Sequence, residues 1–375
     1  MVKLSSTKTN HLVFYGLKLI QKKQLTKNTF AIELQVPEEL KERFLFQSGQ
    51  YVTLKFLFHG QMHYVDYSIT SAPYEEKLTL GIKINAEGSS SEFLFNTLSV
   101  GDRVEVSAPR GRFTLVTKPH EFRTIIGFCM GIGITPILSH FKNILHSEPR
   151  TRLFLFYGNK SKAETAYRKE LDELVNQYSD RLEVHYFYSQ EKVDYSLYQG
   201  RLDAHKLILI INQILHLDDT DEESTIWDAV DEVLICGKGE MIKSLANACF
   251  HHGIPKNNIH FELFDAFEDE IYPLEKEFPL IENVEVNFKL FSKNYTTTLP
   301  DNKNKILSYL LEQDFPVPYS CKSGICGSCE CTIEEGEVEL LENEYLTDSE
   351  INDGKILACR AIPLTKKIML NFDLL

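Results

Sequence analysis

The chain has 375 residues, 43% of them hydrophobic and 25% charged, with a net charge of −14 at pH 7. That length allows two or three domains, and the acidic balance argues against a nucleic-acid partner, whose phosphates want a basic face. Apolar runs stay below the ~18 residues that span a bilayer and Met1–Lys8 lacks an apolar signal core, so a cytoplasmic protein with no membrane association is expected.

Residues 11–118 read as a small antiparallel β-barrel. Phe30–Val36, Tyr51–Phe56 and Lys77–Ile84 carry the β-branched and aromatic content of strands, and one short helix is predicted from Ser91. Residues 119–266 change texture. Buried strands at Thr124–Cys129, Arg152–Tyr157, Leu182–Tyr188, Glu232–Cys236 and His260–Phe264 alternate with helices, which predicts a doubly wound α/β domain. Gly131-Ile-Gly-Ile-Thr-Pro136 follows the first of these strands and opens a helix, where glycines let backbone approach a pyrophosphate. Residues 267–282 read as an acidic, proline-bearing linker. Residues 283–375 then give two strands around a turn at Ser292–Asn294, a helix from Lys303 to Gln313, a cysteine loop and further strands, which suits a β-grasp domain.

The cysteine loop is the strongest signal. Cys321, Cys326, Cys329 and Cys359 are separated by four, two and twenty-nine residues, the plant-type spacing that holds a [2Fe–2S] cluster. Gly324 and Gly327 give the loop freedom to fold closely around sulfide. Zinc would want two paired hooks, and only one C-x2-C pair is present. A disulfide framework would want a secretory context, which the N-terminus does not suggest.

With these motifs in order, the chain resembles the ferredoxin–NADP reductase superfamily fused to a plant-type ferredoxin domain, the nearest subfamily being reductases of the phenylacetyl-CoA epoxidase type. The resemblance implies FAD (or FMN, as in phthalate dioxygenase reductase), NAD(P)H and a [2Fe–2S] cluster, with an oxygenase or another one-electron acceptor protein as partner. One such acceptor is an aromatic acyl-CoA monooxygenase. It implies a relay from nicotinamide through flavin, which can hold two, one or no extra electrons, to a cluster that takes one at a time. Tyr67 and Ser68 correspond to the flavin motif, continued by Ile69 and Thr70. The family's arginine falls at Val65, a departure expected to weaken flavin retention, with Lys83 or His63 as compensating cations. Gly88, Ser89, Ser90 and Ser91 match a phosphate-cradling turn, and Pro109–Phe113 a segment closing the barrel. Gly131, Gly133, Thr135 and Pro136 match the nicotinamide loop. Cys236, followed by Gly237 and Met241, is the expected hydride-positioning thiol, although Lys238 replaces a proline. Glu262-Leu-Phe264 matches a strand bordering the flavin. Tyr67, Ser68 and Cys236 are thus the expected catalytic set. A redox sensor with a vestigial flavin site is the non-enzyme alternative.

Other conspicuous residues have plainer readings. Cys129, Cys249 and Cys331 are expected in the core, His251-His252 at a solvated helix end, and Asp218–Glu223 in a solvated loop. Lys160 and Lys162 are candidates for a nucleotide 2′-phosphate. The ten acidic residues from Glu330 to Asp353, with no Lys or Arg among them, read as a solvated face or a docking surface for a basic partner.

Overall fold

The computed structural model describes residues 13–214, 229–273, 277–341 and 343–373. The chain divides into two compact units between Phe264 and Asp265. The expected loop at Asp218–Glu223 lies outside the described residues.

The first unit opens with β1 (Phe14–Thr26), β2 (Thr29–Gln35), β3 (Tyr51–Phe58), β4 (Gln61–Ser68), β5 (Leu78–Lys83), α1 (Ser90–Thr97) and β6 (Arg103–Ser107). The strands pair antiparallel in the order β4-β3-β6-β1-β2-β5, and an Ile69–Leu80 bridge joins the two edges into a barrel. Period-two alternation sends Leu17, Leu19, Ile32, Leu54, Val65, Tyr67, Leu80 and Val106 into one apolar cluster.

The same unit continues with β7 (Thr124–Met130), α2 (Ile134–Ser147), β8 (Arg152–Asn159), α3 (Arg168–Gln177), β9 (Leu182–Tyr188), α4 (Ala204–Ile214), β10 (Glu232–Gly237), α5 (Gly239–His251) and β11 (Ile259–Leu263). All pairings are parallel, in the order β11-β10-β7-β8-β9. The strand order reverses between β7 and β10, and ligands of open α/β sheets bind outside the strand ends at such a switch point.

Barrel and sheet are expected as separate domains, yet they form one unit because α2 is pinned along the barrel. Ser48 donates to the Ser139 carbonyl at 3.0 Å, and Ser139 donates to the Ser71 carbonyl at 2.6 Å. Buried His140 donates from Nε2 to the Phe113 carbonyl at 2.8 Å, and burial pushes its pKa down to about 4, so the ring is neutral. Lys142, almost fully buried, reaches Glu75 of the barrel at 3.2 Å and Glu170 of α3. Gly81 of β5 completes the seam: a Cβ there would stand 2.6 Å from the Tyr167 hydroxyl and 2.7 Å from Thr135.

The second unit contains β12 (Glu282–Leu290), β13 (Lys293–Asp301), α6 (Ile306–Glu312), β14 (Glu330–Glu335), β15 (Val338–Leu340), α7 (Asp348–Asn352), β16 (Lys355–Leu357), β17 (Ala361–Pro363) and β18 (Lys367–Asn371). The main sheet runs β13-β12-β18-β14-β16, with β12 and β18 parallel at its centre. The β12–β13 turn sits at Phe291-Ser292, one residue before the expected position, with φ of 53° and 60°. Those left-handed residues are held by Asp373, whose carboxylate accepts from both backbone N–H groups at 2.6 and 2.7 Å.

The segment expected as a plain linker is built into this unit. Ile271 and Tyr272 are buried, and Phe267 to Glu270 are bonded to the cysteine loop.

Candidate functional site

The nucleotide end of the first unit is assembled by strand register. Cys236 on β10 lies opposite Cys129 on β7 and Glu262 on β11. Gly133 packs so closely on Cys236 that a Cβ would stand 2.4 Å from its carbonyl oxygen and 3.5 Å from Sγ. Gly237 lies against the Met241 terminal methyl, 2.6 Å from where a Cβ would stand, a contact that the flexible side chain could relieve. The structure therefore brings Gly133, Cys236, Gly237 and Met241 together, as the motifs imply. Gly131, at φ 55°, makes the left-handed step out of β7. Thr135 donates to the Ile132 carbonyl at 2.9 Å, and Pro136 sits in the first turn of α2, where a missing N–H costs nothing.

Lys83 is placed at this loop. Its ammonium lies 3.5 Å from where a Cβ on Gly131 would stand. Burial and the nearby Lys160 and Lys238 charges pull its pKa below the usual lysine value, against the opposing pull of Glu164. Three cations thus gather beside the Gly131 loop. Lys162 lies at the same strand end, its backbone N–H donating to Glu191 at 2.6 Å.

Ser68, at the end of β4, donates to Glu262 Oε2 at 3.2 Å. Burial pushes Glu262 up to about 8, with Asp66 adding and the Ser68 bond opposing, so its carboxyl is mostly protonated at neutral pH. Burial likewise raises the Cys236 thiol well above its ordinary range. Ser68 and Cys236 are buried and Glu262 is half-buried, so charge is disfavoured along this row. Motif reading left Glu262 as a mere border of the flavin; its place one strand from Cys236 is revealed only by register.

Tyr67 and Val65 face the other way. They are 4% and 1% exposed and belong to the barrel core. An arginine at 65 would have to bury its guanidinium there, so Val65 is a packing residue in this fold. A guanidinium reaches β4 by another route: Arg110 approaches the Asp66 carboxylate at 3.3 Å, donates to Thr53 at 2.7 Å and covers the Tyr51 ring. His63 stacks on Phe56 and meets Phe58 edge-on. Ile69 is core, and Thr70 bonds Thr79 across the barrel closure.

The turn before α1 is a reciprocal cap. Ser89 accepts from Glu92 N at 3.2 Å, the Gly88 N–H donates to the Glu92 carboxylate at 2.6 Å, and Ser91 accepts from Asn85 N. Ser90 is the first helical residue, and Gly88, at φ 73°, faces open space, leaving room for a phosphate.

In the second unit the four expected ligands converge two by two, Cys321 with Cys326 and Cys329 with Cys359. Backbone N–H groups donate to their sulfurs at 3.4 Å: Cys321 and Ser328 to Cys326, Ser323 to Cys321, and Cys359 to Cys329. The Cys321 side chain and the Cys321 and Ser328 N–H groups pull the Cys326 thiol below its ordinary range. Among the described residues no three His, Cys, Asp or Glu close on one point as a single ion requires. Paired thiols with N–H donors suit two bridged irons taking two thiolates each, so the residues fit a [2Fe–2S] cluster. Gly324 and Gly327 have φ of 79° and 61°, and Gly327 lies under the Tyr345 ring. Cys331 and Cys249 are core residues, as expected.

The acidic run is partly engaged. Buried Glu330 pairs with Lys355 at 3.0 Å, and Glu350 caps α7 through Thr347. Glu342 lies outside the described residues. No helix among the described residues is long and apolar enough to cross a membrane.

Comparison with known proteins matches three family models in succession: an oxidoreductase FAD-binding domain over residues 16–115, an oxidoreductase NAD-binding domain over 128–247, and a 2Fe-2S iron-sulfur cluster binding domain over 288–364. The chain is 27% identical over 362 residues to one component of the 1,2-phenylacetyl-CoA epoxidase of Escherichia coli K12, covering 96% of this chain and 98% of that one. It is 28% identical over 356 residues to the ferredoxin reductase component of a Rhodococcus rhodochrous 3-ketosteroid-9-alpha-monooxygenase, covering 92% and 93%. Among solved structures, phthalate dioxygenase reductase has the same fold at a TM-score of 0.53 and 23% identity, covering 96% of this chain and 98% of that one.

Proposed function

We propose, for a chain that belongs to the ferredoxin–NADP reductase superfamily with a fused plant-type ferredoxin domain, that it is the electron-supplying reductase of an oxygenase system. It draws on reduced nicotinamide dinucleotide and delivers single electrons to a separate oxygenase component. When bound, FAD and the [2Fe–2S] cluster supply the chemistry that hands on a two-electron hydride as single electrons. The chain's own residues supply position and electrostatics.

The observation that carries this reading is Glu262, bonded to Ser68 of the flavin motif and in register with Cys236 of the nicotinamide motif. Gly133 and Gly237 let the nicotinamide approach Cys236, whose neutral thiol presents polarisable bulk without charge. Glu262, holding its proton, would place no negative charge beside Ser68 and so would not oppose the negative charge that a hydride brings to a flavin there. Lys83, Lys160 and Lys238 neutralise the dinucleotide phosphates, and the turn at Gly88–Ser91 offers room for the flavin's. Cys321, Cys326, Cys329 and Cys359 hold the iron. We place the protein in the cytoplasm, where reduced thiols such as those of its eight cysteines persist.

The finer reading is an oxygenase acting on an aromatic acyl-CoA thioester, supported by the extent of the match to the epoxidase component. Anaerobic addition of NADH or NADPH to the purified holoprotein tests the reductase reading. Bleaching of flavin and iron–sulfur absorbance is expected with at least one of them. A coloured protein that neither nucleotide bleaches would refute it.

A further inference from the structure

The segment after Phe264 closes over the cysteine loop as a clasp. The Phe267 N–H donates to the Cys321 carbonyl at 2.9 Å, and Ser323 returns a hydrogen bond to the Phe267 carbonyl. Lys322, in the left-handed region at φ 59°, pairs with Glu268. Lys305, at the N-cap of α6, donates to the Glu268 carbonyl at 2.6 Å and meets Glu270 at 2.5 Å. Glu270 also pairs with Arg360, the residue after Cys359. Arg360 is 5% exposed at its side chain and Glu270 16%. The methylenes of Arg360 cover Gly324 of the cysteine loop, 2.8 and 3.1 Å from where a Cβ would stand.

We propose that Glu270 is an electrostatic positioning residue for the iron–sulfur centre, opposing the buried Arg360 charge beside Cys359 and thereby lowering the cluster's reduction potential from the segment that precedes β12. The inference rests on the cluster reading above. Reduction adds one negative charge to a centre already carrying four thiolates and two sulfides. A buried cation nearby favours that reduced state, and a carboxylate held against it opposes that bias whatever else the cation meets. The clasp also keeps the guanidinium in one place, because Glu270 is tied through the same segment to Phe267 and Glu268.

Spectroelectrochemical titration of the full-length holoprotein decides the matter, with cluster content measured beforehand by iron and visible absorbance. Glu270→Gln, which keeps the shape but not the charge, is expected to raise the midpoint. At a fixed potential the reduced-to-oxidised ratio should rise about threefold or more. Arg360→Gln is expected to shift it in the opposite direction, and the double variant to return close to the parent. If Glu270→Gln loses its cluster, Arg360→Gln and the double variant still give the sign. Unchanged midpoints, or single variants that shift in the same direction, overturn the proposal. A parent protein without a cluster would instead overturn the reductase reading.

Discussion

Ser68 donates a hydrogen bond to the Glu262 carboxylate at 3.2 Å, from the end of a barrel strand to the last strand of the nucleotide sheet, 194 positions later in the chain. That bond joins the strand carrying the expected flavin motif to the strand beside the expected nicotinamide motif. Both are supported by elements that share one core seam along α2, so their separation is fixed by packing.

Glu262→Gln keeps the hydrogen-bond geometry and removes the titration. Because the folded pKa of about 8 exceeds the ordinary 4.5, the folded state binds the extra proton between those values. Stability from this group is therefore full below about 4.5, falls as pH rises, and levels off above about 8. The variant should melt at a temperature less dependent on pH across that window, and its hydride-transfer rate should lose an inflection near 8. A parent-like pH profile would count against a protonated Glu262.

Gly133→Ala drives a methyl group onto the Cys236 carbonyl. Relief requires α2 or β10 to move, at a cost of about 1–3 kcal/mol. NAD(P)H-driven ferricyanide reduction should fall at least about tenfold as the nicotinamide loop shifts. Cluster absorbance should stay at the parent level, since the cysteine loop lies in the other unit.

Val65→Arg will not tighten flavin binding. It places a guanidinium among Leu54, Tyr67 and Val106 in the apolar barrel core, a loss of at least about 3 kcal/mol. Chemical denaturation should show the loss directly. A variant as stable as the parent with more bound flavin would contradict the core placement of this residue.

Lys83→Met retains the buried stem and removes the cation at Gly131. KM for the dinucleotide should rise about tenfold, with kcat much less affected. In the parent protein the lowered pKa means this charge is lost earlier on the alkaline side than for an exposed lysine, so KM should climb there first. Equal alkaline behaviour in parent and variant would remove Lys83 from the site.

Strand and helix texture made the three folds readable from the chain, because that texture is a local pattern, and cysteine spacing pointed to the four thiols that the structure brings together. What escaped was long-range. Local sequence put the turn at Ser292–Asn294, and its shift to Phe291-Ser292 was not legible because the residue that holds it, Asp373, is about eighty positions away. Val65 looked like a missing arginine until its alternation with Tyr67 placed both in the barrel core. The acidic segment around Glu268 and Glu270 had a linker's composition, and only the cations at Lys305, Lys322 and Arg360 show why it is acidic. Glu262 needed the register of β10 against β11 before it could be joined to Cys236.

The seam along α2 has a practical corollary for anyone recombining such proteins. A chimaera cut near residue 118, between barrel and nucleotide sheet, would strand Lys142 and His140 away from Glu75 and Phe113 and should yield little intact product. A junction between Phe264 and Asp265 instead keeps every bond of that seam on one side and sends the Phe267–Glu270 segment along with its own cysteines. Exchange of redox heads at that junction is therefore the route by which one flavin module could be re-targeted to a different acceptor.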